Sequence, residues 1–154
     1  MKNVYILCGI PGSGKSTWVL EQLRQGRSAI WCSRDLVRFG MVKTDEPYFS
    51  KETEVFNRWI ANINEAIADT KYEDIYVDAT HLTEKSRKKT VSLLAPANYF
   101  YVVFDVPLNI CLKRNAKREG RERVPEDVIV NMFNSYTIPK GDNVIIINEK
   151  GERV

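Results

Sequence analysis

The sequence predicts an α/β protein, a five-stranded parallel sheet with helices packed on both faces. Three observations predict it: five short apolar runs bounded by turn residues, amphipathic stretches between them, and a glycine-rich segment joining the first run to a helical pattern. A chain of 154 residues and 17.8 kDa matches one domain, read as residues 1–154, that buries roughly 70% of its unfolded surface.

The elements follow in order. Strands are expected over residues 4–8, 28–32, 74–77, 99–104 and 143–147, each rich enough in β-branched or aromatic residues to be buried. Residues 18–23 carry a helical pattern directly after the first strand and its glycines. Phe56, Trp59, Ile60, Ile63 and Ile67 recur at helical spacing, which buries one face of a long helix starting near Glu46 or later. Pro107 and Pro125 suit the first turns of two further helices, and Glu126 with Asp127 complements the positive end of the second.

Composition narrows the function classes. With 44% hydrophobic and 28% charged residues, the chain is neither disordered nor fibrous. A net charge of +3 permits a polyanionic partner without demanding one. Cys8, Cys32 and Cys111 lie far apart in apolar runs with no metal-ligand spacing, which predicts buried free thiols and a reducing compartment. The apolar run before Pro11 is too short for a signal peptide or a membrane span, so a cytoplasmic protein with no membrane partner is expected.

The main chemical signal is Gly9-Ile10-Pro11-Gly12-Ser13-Gly14-Lys15-Ser16, the GxxxxGK[ST] pattern between a strand and a helix. Its glycines permit positive backbone angles, so successive N–H groups can converge on phosphate oxygens at a helix amino terminus. The pattern predicts a bound ATP or GTP with Mg²⁺. Gly9, Pro11, Gly12, Ser13, Gly14, Lys15, Ser16 and Thr17 form the expected nucleotide-binding set; Lys15 would reach the β and γ phosphates and Ser16 would ligate the metal. A glycine-rich turn with a surface lysine is the bland alternative, and the strand and helix around it argue against that.

The acceptor must be read from other residues. Ser33-Arg34-Asp35-Leu36-Val37-Arg38 follows the second strand, on the sheet edge where α/β proteins bind ligands. Asp35 can take a proton from an attacking hydroxyl, and Arg38, three residues on, can hold an acceptor phosphate if the segment is helical. A capping aspartate with a surface ion pair would look the same. Asp78 ends the third run as a metal-linked acid would, directly or through water, and Thr80 and His81 beside it are candidate acceptor contacts. Residues 113–124 are strongly basic, with Arg114 and Arg118 at i,i+4. They predict a lid that closes over the triphosphate, against the plainer reading of a solvated charged helix end.

Together these residues resemble the polynucleotide 5′-kinase family. The similarity covers nearly the whole chain: Gly9 to Trp18, the R-D-x-x-R element at Arg34, Asp35 and Arg38, then Phe104-Asp105-Val106-Pro107, Lys113-Arg114-Asn115 and Val124-Pro125. The resemblance implies a P-loop kinase fold with strand order 2-3-1-4-5 and an arginine-rich lid. It implies transfer of the γ-phosphate of ATP to the 5′-hydroxyl end of DNA or RNA. It also implies Asp35 as general base, Arg38 on the acceptor phosphate and Arg118 on the donor phosphates, completing a catalytic set of Lys15, Asp35, Arg38 and Arg118. Asp78-Ala79-Thr80-His81 is similar to a D-A-T-N segment of related kinases. No D-x-D-G-T motif follows Ile147, so only the kinase activity of the bifunctional relatives is expected. The competing enzyme reading is a small-molecule P-loop kinase acting on a nucleoside, a nucleoside monophosphate or a sugar; a non-catalytic nucleotide switch would need neither Asp35 nor the arginines.

Overall fold

A computed structural model describes residues 1–26 and 28–154. In chain order these form β1 (Asn3–Cys8), α1 (Lys15–Arg24), β2 (Ala29–Ser33), α2 (Arg34–Met41), α3 (Glu52–Ala68), β3 (Asp74–Asp78) and α4 (Glu84–Ser92). There follow β4 (Asn98–Phe104), α5 (Leu108–Ala116), a short 3₁₀ turn (Gly120–Glu122), α6 (Glu126–Ser135) and β5 (Val144–Ile147). All five strands sit within a residue or so of their predicted places. They pair parallel in the order β2-β3-β1-β4-β5, the order the resemblance implies.

Alternation along β1 explains why helices cover both faces. Val4, Ile6 and Cys8 join Ile75, Val77 and Val103 under Trp59, Ile63, Ala66 and Ile67 of α3. Leu7 points the other way and joins Tyr76, Val102, Phe104 and Ile147 against Val19 of α1. Each large apolar side chain buried this way contributes about 1.5–3 kcal/mol. Trp59 is fully buried, and its indole N–H still finds the Cys32 carbonyl at 2.9 Å. A third cluster, Ile10, Val106, Cys111 and Ile129, fastens α5 and α6 to the start of the glycine loop.

The helix boundaries have local causes. Pro107 and Pro125 occupy the N-cap positions of α5 and α6, where a missing N–H costs nothing. The long amphipathic helix begins at Glu52, because Pro47 to Ser50 make a turn in which Ser50 N–H bonds the Pro47 carbonyl at 3.0 Å. Cys8, Cys32 and Cys111 are buried free thiols. Among the described residues no helix is long and apolar enough to cross a membrane.

The register sets up the site. Leu7 pairs with Asp78, and Asp78 pairs with Ser33, so the carboxyl ends of β1, β3 and β2 lie side by side. The glycine loop, Asp78 and the Arg34–Asp35 corner therefore all emerge on one edge of the sheet.

Candidate functional site

The loop after β1 has the backbone its sequence requires. Gly12 and Gly14 take φ of 85° and 95°, and Gly14 is the N-cap of α1 in the left-handed region. A β-carbon on Gly12 would also lie 2.5 Å from the Cys111 carbonyl oxygen, so space as well as conformation demands glycine there. Lys15 Nζ donates to the carbonyls of Gly9 and Ile10 at 2.8 and 3.2 Å, across the mouth of the loop. Burial lowers the Lys15 pKa, and the Asp78 and Asp35 carboxylates oppose that fall. Ser13 is 2% exposed, and its hydroxyl has no hydrogen-bond partner among the described residues. A buried orphan of this kind inside a nest of backbone N–H groups fits a phosphate oxygen. Ser16 and Thr17 are exposed in the first turn of α1.

Asp78 closes β3, buried at 7% exposure, and accepts from Trp31 Nε1 at 2.9 Å. Burial raises its pKa, opposed by Lys15 and by that hydrogen bond. Among the described residues no three His, Cys, Asp or Glu side chains gather to hold a metal. The donors that fit Mg²⁺ here are the Ser16 hydroxyl and the Asp78 carboxylate, with phosphate and water supplying the remainder. Thr80 is half-buried and its carbonyl accepts from Gly9 N–H at 2.9 Å.

His81 departs from expectation. Its ring is 4% exposed, with Nδ1 2.7 Å from the Leu7 carbonyl and Nε2 3.2 Å from Thr90 Oγ1, and it packs against Trp59. Both nitrogens are spent inside the protein, so the side chain does not contact an acceptor at the rim. Burial pushes its pKa down to about 4. Its φ of 44° lies in the left-handed region that histidine and asparagine enter more readily than most residues. The position is a conformational corner between β3 and α4.

The Ser33-to-Arg38 segment is helical, as the acceptor reading required: Ser33 caps α2 by accepting from Leu36 N–H at 3.2 Å. The Asp35 side chain is 67% exposed and bonds Arg38 Nη1. Arg38 itself is buried. Glu52 takes its Nε at 2.5 Å and its Nη2 at 2.9 Å, a bidentate grip, while Tyr48 Oη stands 3.4 Å from Nη1. Burial alone would lower the Arg38 pKa; the Glu52 hydrogen bond, Tyr48 and Asp35 raise it above its ordinary value. Arg34 Nη2 shares the Glu52 carboxylate at 3.1 Å, and its guanidinium lies over Phe56 and Trp59. Two arginines and two carboxylates thus form a neutral cluster, with Asp35 as its exposed member.

The basic segment lies beside the loop with one difference from the helical-face expectation. Helix α5 ends at Ala116, so Arg118 stands beyond it and does not share a helical face with Arg114. Both still line an open groove of about 1140 Å³ along α1, together with Gly12, Ser13, Gly14 and Thr17. Arg114 Nη1 donates to the Gly12 carbonyl at 3.2 Å and Nη2 to that of Glu149 at 2.6 Å. Arg118 bonds the Glu122 carbonyl at 3.5 Å, and its charge helps lower the Lys15 pKa.

Two contacts at the candidate site escape sequence reasoning. Glu52 is 14 positions from Arg38, and its only sequence signal is an acid in the first turn of a helix that follows an arginine-bearing one. Arg121 crosses from the 3₁₀ turn to α2, donating to the carbonyls of Val42 and Phe39 at 2.5 and 3.3 Å and lying 4.7 Å over the Phe39 ring.

A family model described as an AAA domain matches residues 4–139. The chain is 29% identical over 141 residues to the L-seryl-tRNA(Sec) kinase of Methanococcus maripaludis, covering 87% of this chain and 52% of that protein, so it spans about half the relative's length. Among solved structures, a chain of the Pnkp1/Rnl/Hen1 RNA repair complex superposes with a TM-score of 0.73 at 24% identity, over 87% of this chain and 43% of that one. A gluconokinase from Sinorhizobium meliloti 1021 gives 0.62 at 19% identity, over 95% and 82% of the two chains. At these identities the structures attest the shared fold.

Proposed function

The chain belongs to the AAA-domain family, and from that premise we propose that it is an ATP-dependent phosphotransferase acting on the 5′-hydroxyl end of DNA or RNA. One observation carries the reading. The exposed Asp35 carboxylate follows β2 on the same sheet edge from which the phosphate loop emerges, and it bonds an arginine gripped from behind by Glu52. A nucleotide switch has no use for such a pair.

The loop from Gly9 to Ser16 holds the donor phosphates through its backbone N–H groups, Lys15 and the Ser13 hydroxyl. Ser16 and Asp78, the latter directly or through water, would hold Mg²⁺, which would supply charge neutralisation for the triphosphate. Asp35 orients the 5′-hydroxyl and takes its proton as the oxygen attacks in line. Arg38 binds the phosphate of the acceptor. Among the described residues four of its contacts are filled, three to carboxylates and one long contact to Tyr48. An acceptor phosphate exchanges with Asp35 at Nη1, which releases the carboxylate for the hydroxyl. Binding thereby prepares the base. Arg118, with Arg114, balances charge on the moving phosphoryl group.

The repair-complex likeness supports a nucleic-acid acceptor. The gluconokinase and seryl-tRNA kinase likenesses support a second reading, a kinase of a small or tRNA-borne hydroxyl. An acceptor panel with γ-labelled ATP separates them: 5′-hydroxyl RNA, 5′-hydroxyl DNA, nucleoside 3′- and 5′-monophosphates, gluconate and seryl-tRNA. Label is expected on the oligonucleotides, and Asp35→Ala should abolish it while ATP binding by calorimetry persists. Label confined to a monophosphate, gluconate or seryl-tRNA would replace this reading with the second one.

A further inference from the structure

On the reading that the acceptor is a nucleic-acid end, we propose that Phe39, Tyr48 and Phe49 form a platform on which a base of the acceptor strand stacks. Phe49 is 61% exposed, and its ring packs on a neighbouring aromatic. It meets Tyr48 edge to face at 4.7 Å between centroids and 84°, and Tyr48 meets Phe39 at 6.3 Å and 70°. The Arg38 guanidinium lies 4.9 Å from the Tyr48 ring centre and 5.4 Å from that of Phe49. The residue assigned to the acceptor phosphate is therefore in contact with the aromatic cluster.

A lone exposed phenylalanine is ordinary and needs no ligand. Here the surroundings point to one. The segment carrying Tyr48 and Phe49 is tied down at both ends: Lys43 N–H bonds Glu46 Oε1 at 2.9 Å, and Lys51 Nζ bonds the Met41 carbonyl at 3.0 Å. Arg121 covers one face of Phe39. The rings thus pack on one another and on two guanidinium groups, an arrangement that lowers the ordering cost of binding a base.

The chemistry selects the occupant. A nucleotide presents a flat π surface and an anionic phosphate joined by one sugar. The site presents a ring and a guanidinium in contact, next to the carboxylate that would activate the terminal hydroxyl. An apolar peptide or a lipid tail would satisfy the rings alone, whereas a nucleotide also brings the phosphate that exchanges with Asp35 at Arg38 Nη1. Because every base has a π face, the platform gives affinity with little sequence preference, and it favours an end whose bases are unpaired.

The test compares acceptor KM, ATP KM and kcat for the wild type, Phe49→Ala, Phe49→Leu and Phe49→Trp. Acceptors are a short single-stranded 5′-hydroxyl oligonucleotide and versions of it made abasic at the first or second nucleotide. Loss of one base–aromatic stack predicts a rise of roughly ten-fold in acceptor KM for Phe49→Ala, with ATP KM unchanged. Leucine should fail to restore it and tryptophan should restore it. One abasic acceptor should carry the same penalty in the wild type and none in Phe49→Ala. Equal KM for wild type and Phe49→Ala, or an abasic penalty of the same size in both, overturns the platform while leaving the acceptor reading intact. A wild type that phosphorylates no oligonucleotide, abasic or not, overturns both.

Discussion

The proposed donor and acceptor sides of this site are built by opposite means. The donor side is one continuous stretch, residues 9–16, whose backbone does the work and in which Gly12 and Gly14 are dictated by positive φ and Gly12 also by the closeness of Cys111. The acceptor side is assembled from α2, the turn before α3, the first turn of α3 and the 3₁₀ turn, and its side chains hold one another through charge. A contiguous backbone site is specified locally. A side-chain cluster is specified by the fold. The two should therefore fail differently when perturbed.

The sharpest separation comes from Arg118, which borders the donor loop and meets the 3₁₀ turn through a long, 3.5 Å hydrogen bond to a backbone carbonyl, that of Glu122. Replacing a transition-state arginine in phosphoryl transfer typically costs about 10³–10⁵ in rate. Arg118→Ala is expected to lose activity on that scale in single-turnover assays, with acceptor KM little changed and the urea midpoint of unfolding unmoved. Normal turnover in this variant would remove Arg118 from the donor side and with it the expectation of a lid.

This contrast also explains what the sequence could show. The fold was legible because buried parallel strands must be continuously apolar, and all five runs carry that mark at their predicted places. The loop was legible because its residues are adjacent. Asp35 and Arg38 could be named from spacing, yet not Glu52, which reverses the meaning of Arg38 from a free cation to a braced one. His81 was misplaced for a related reason. Its neighbours in sequence, Asp78 and Thr80, sit at the rim, but a φ of 44° turns its ring inward to Leu7 and Thr90. Sequence adjacency cannot reveal that turn. The asparagine found at this place in the resembling segment suits the same backbone angle, so the exchange preserves conformation.

His81 gives the next largest effect, and it belongs to the donor framework, since it bonds the strand that feeds the loop. Its folded pKa of about 4 lies below the ordinary histidine value of 6.5, so the unfolded chain binds the extra proton first as pH falls. The stabilisation is complete above pH ~6.5 and is lost on descending toward pH ~4, in total up to ~3 kcal/mol. Urea melts between pH 7 and 4 should show this loss, and His81→Asn should flatten the dependence in that window. A wild-type stability that is level from pH 7 to 4.5 would mean the ring is not held neutral.

Glu52 tests the acceptor side by the same linkage: folding again favours the deprotonated form, here the charged one. The Arg38 hydrogen bond, then the Arg38 and Arg34 charges, hold its carboxyl below the usual glutamate range despite burial. Its contribution is present above the unfolded glutamate pKa and is lost as pH falls through the lower folded value, so this cluster should outlast the His81 effect on acidification. The Glu52 side chain is 28% exposed, which discounts the cost of breaking the pair from the several kcal/mol of a fully buried one to about 1–3 kcal/mol. Glu52→Gln keeps the shape while leaving Arg34 and Arg38 facing each other without their shared anion. The expected result is a urea midpoint lowered by that amount, an acceptor KM raised several-fold because Arg38 is no longer braced, and an ATP KM unchanged. If acceptor and ATP KM rise together, Glu52 supports the whole carboxyl edge of the sheet and the division between the two sides is weaker than the contacts imply. If neither moves and only the midpoint falls, the arginine cluster is structural, and Asp35 alone links α2 to the acceptor.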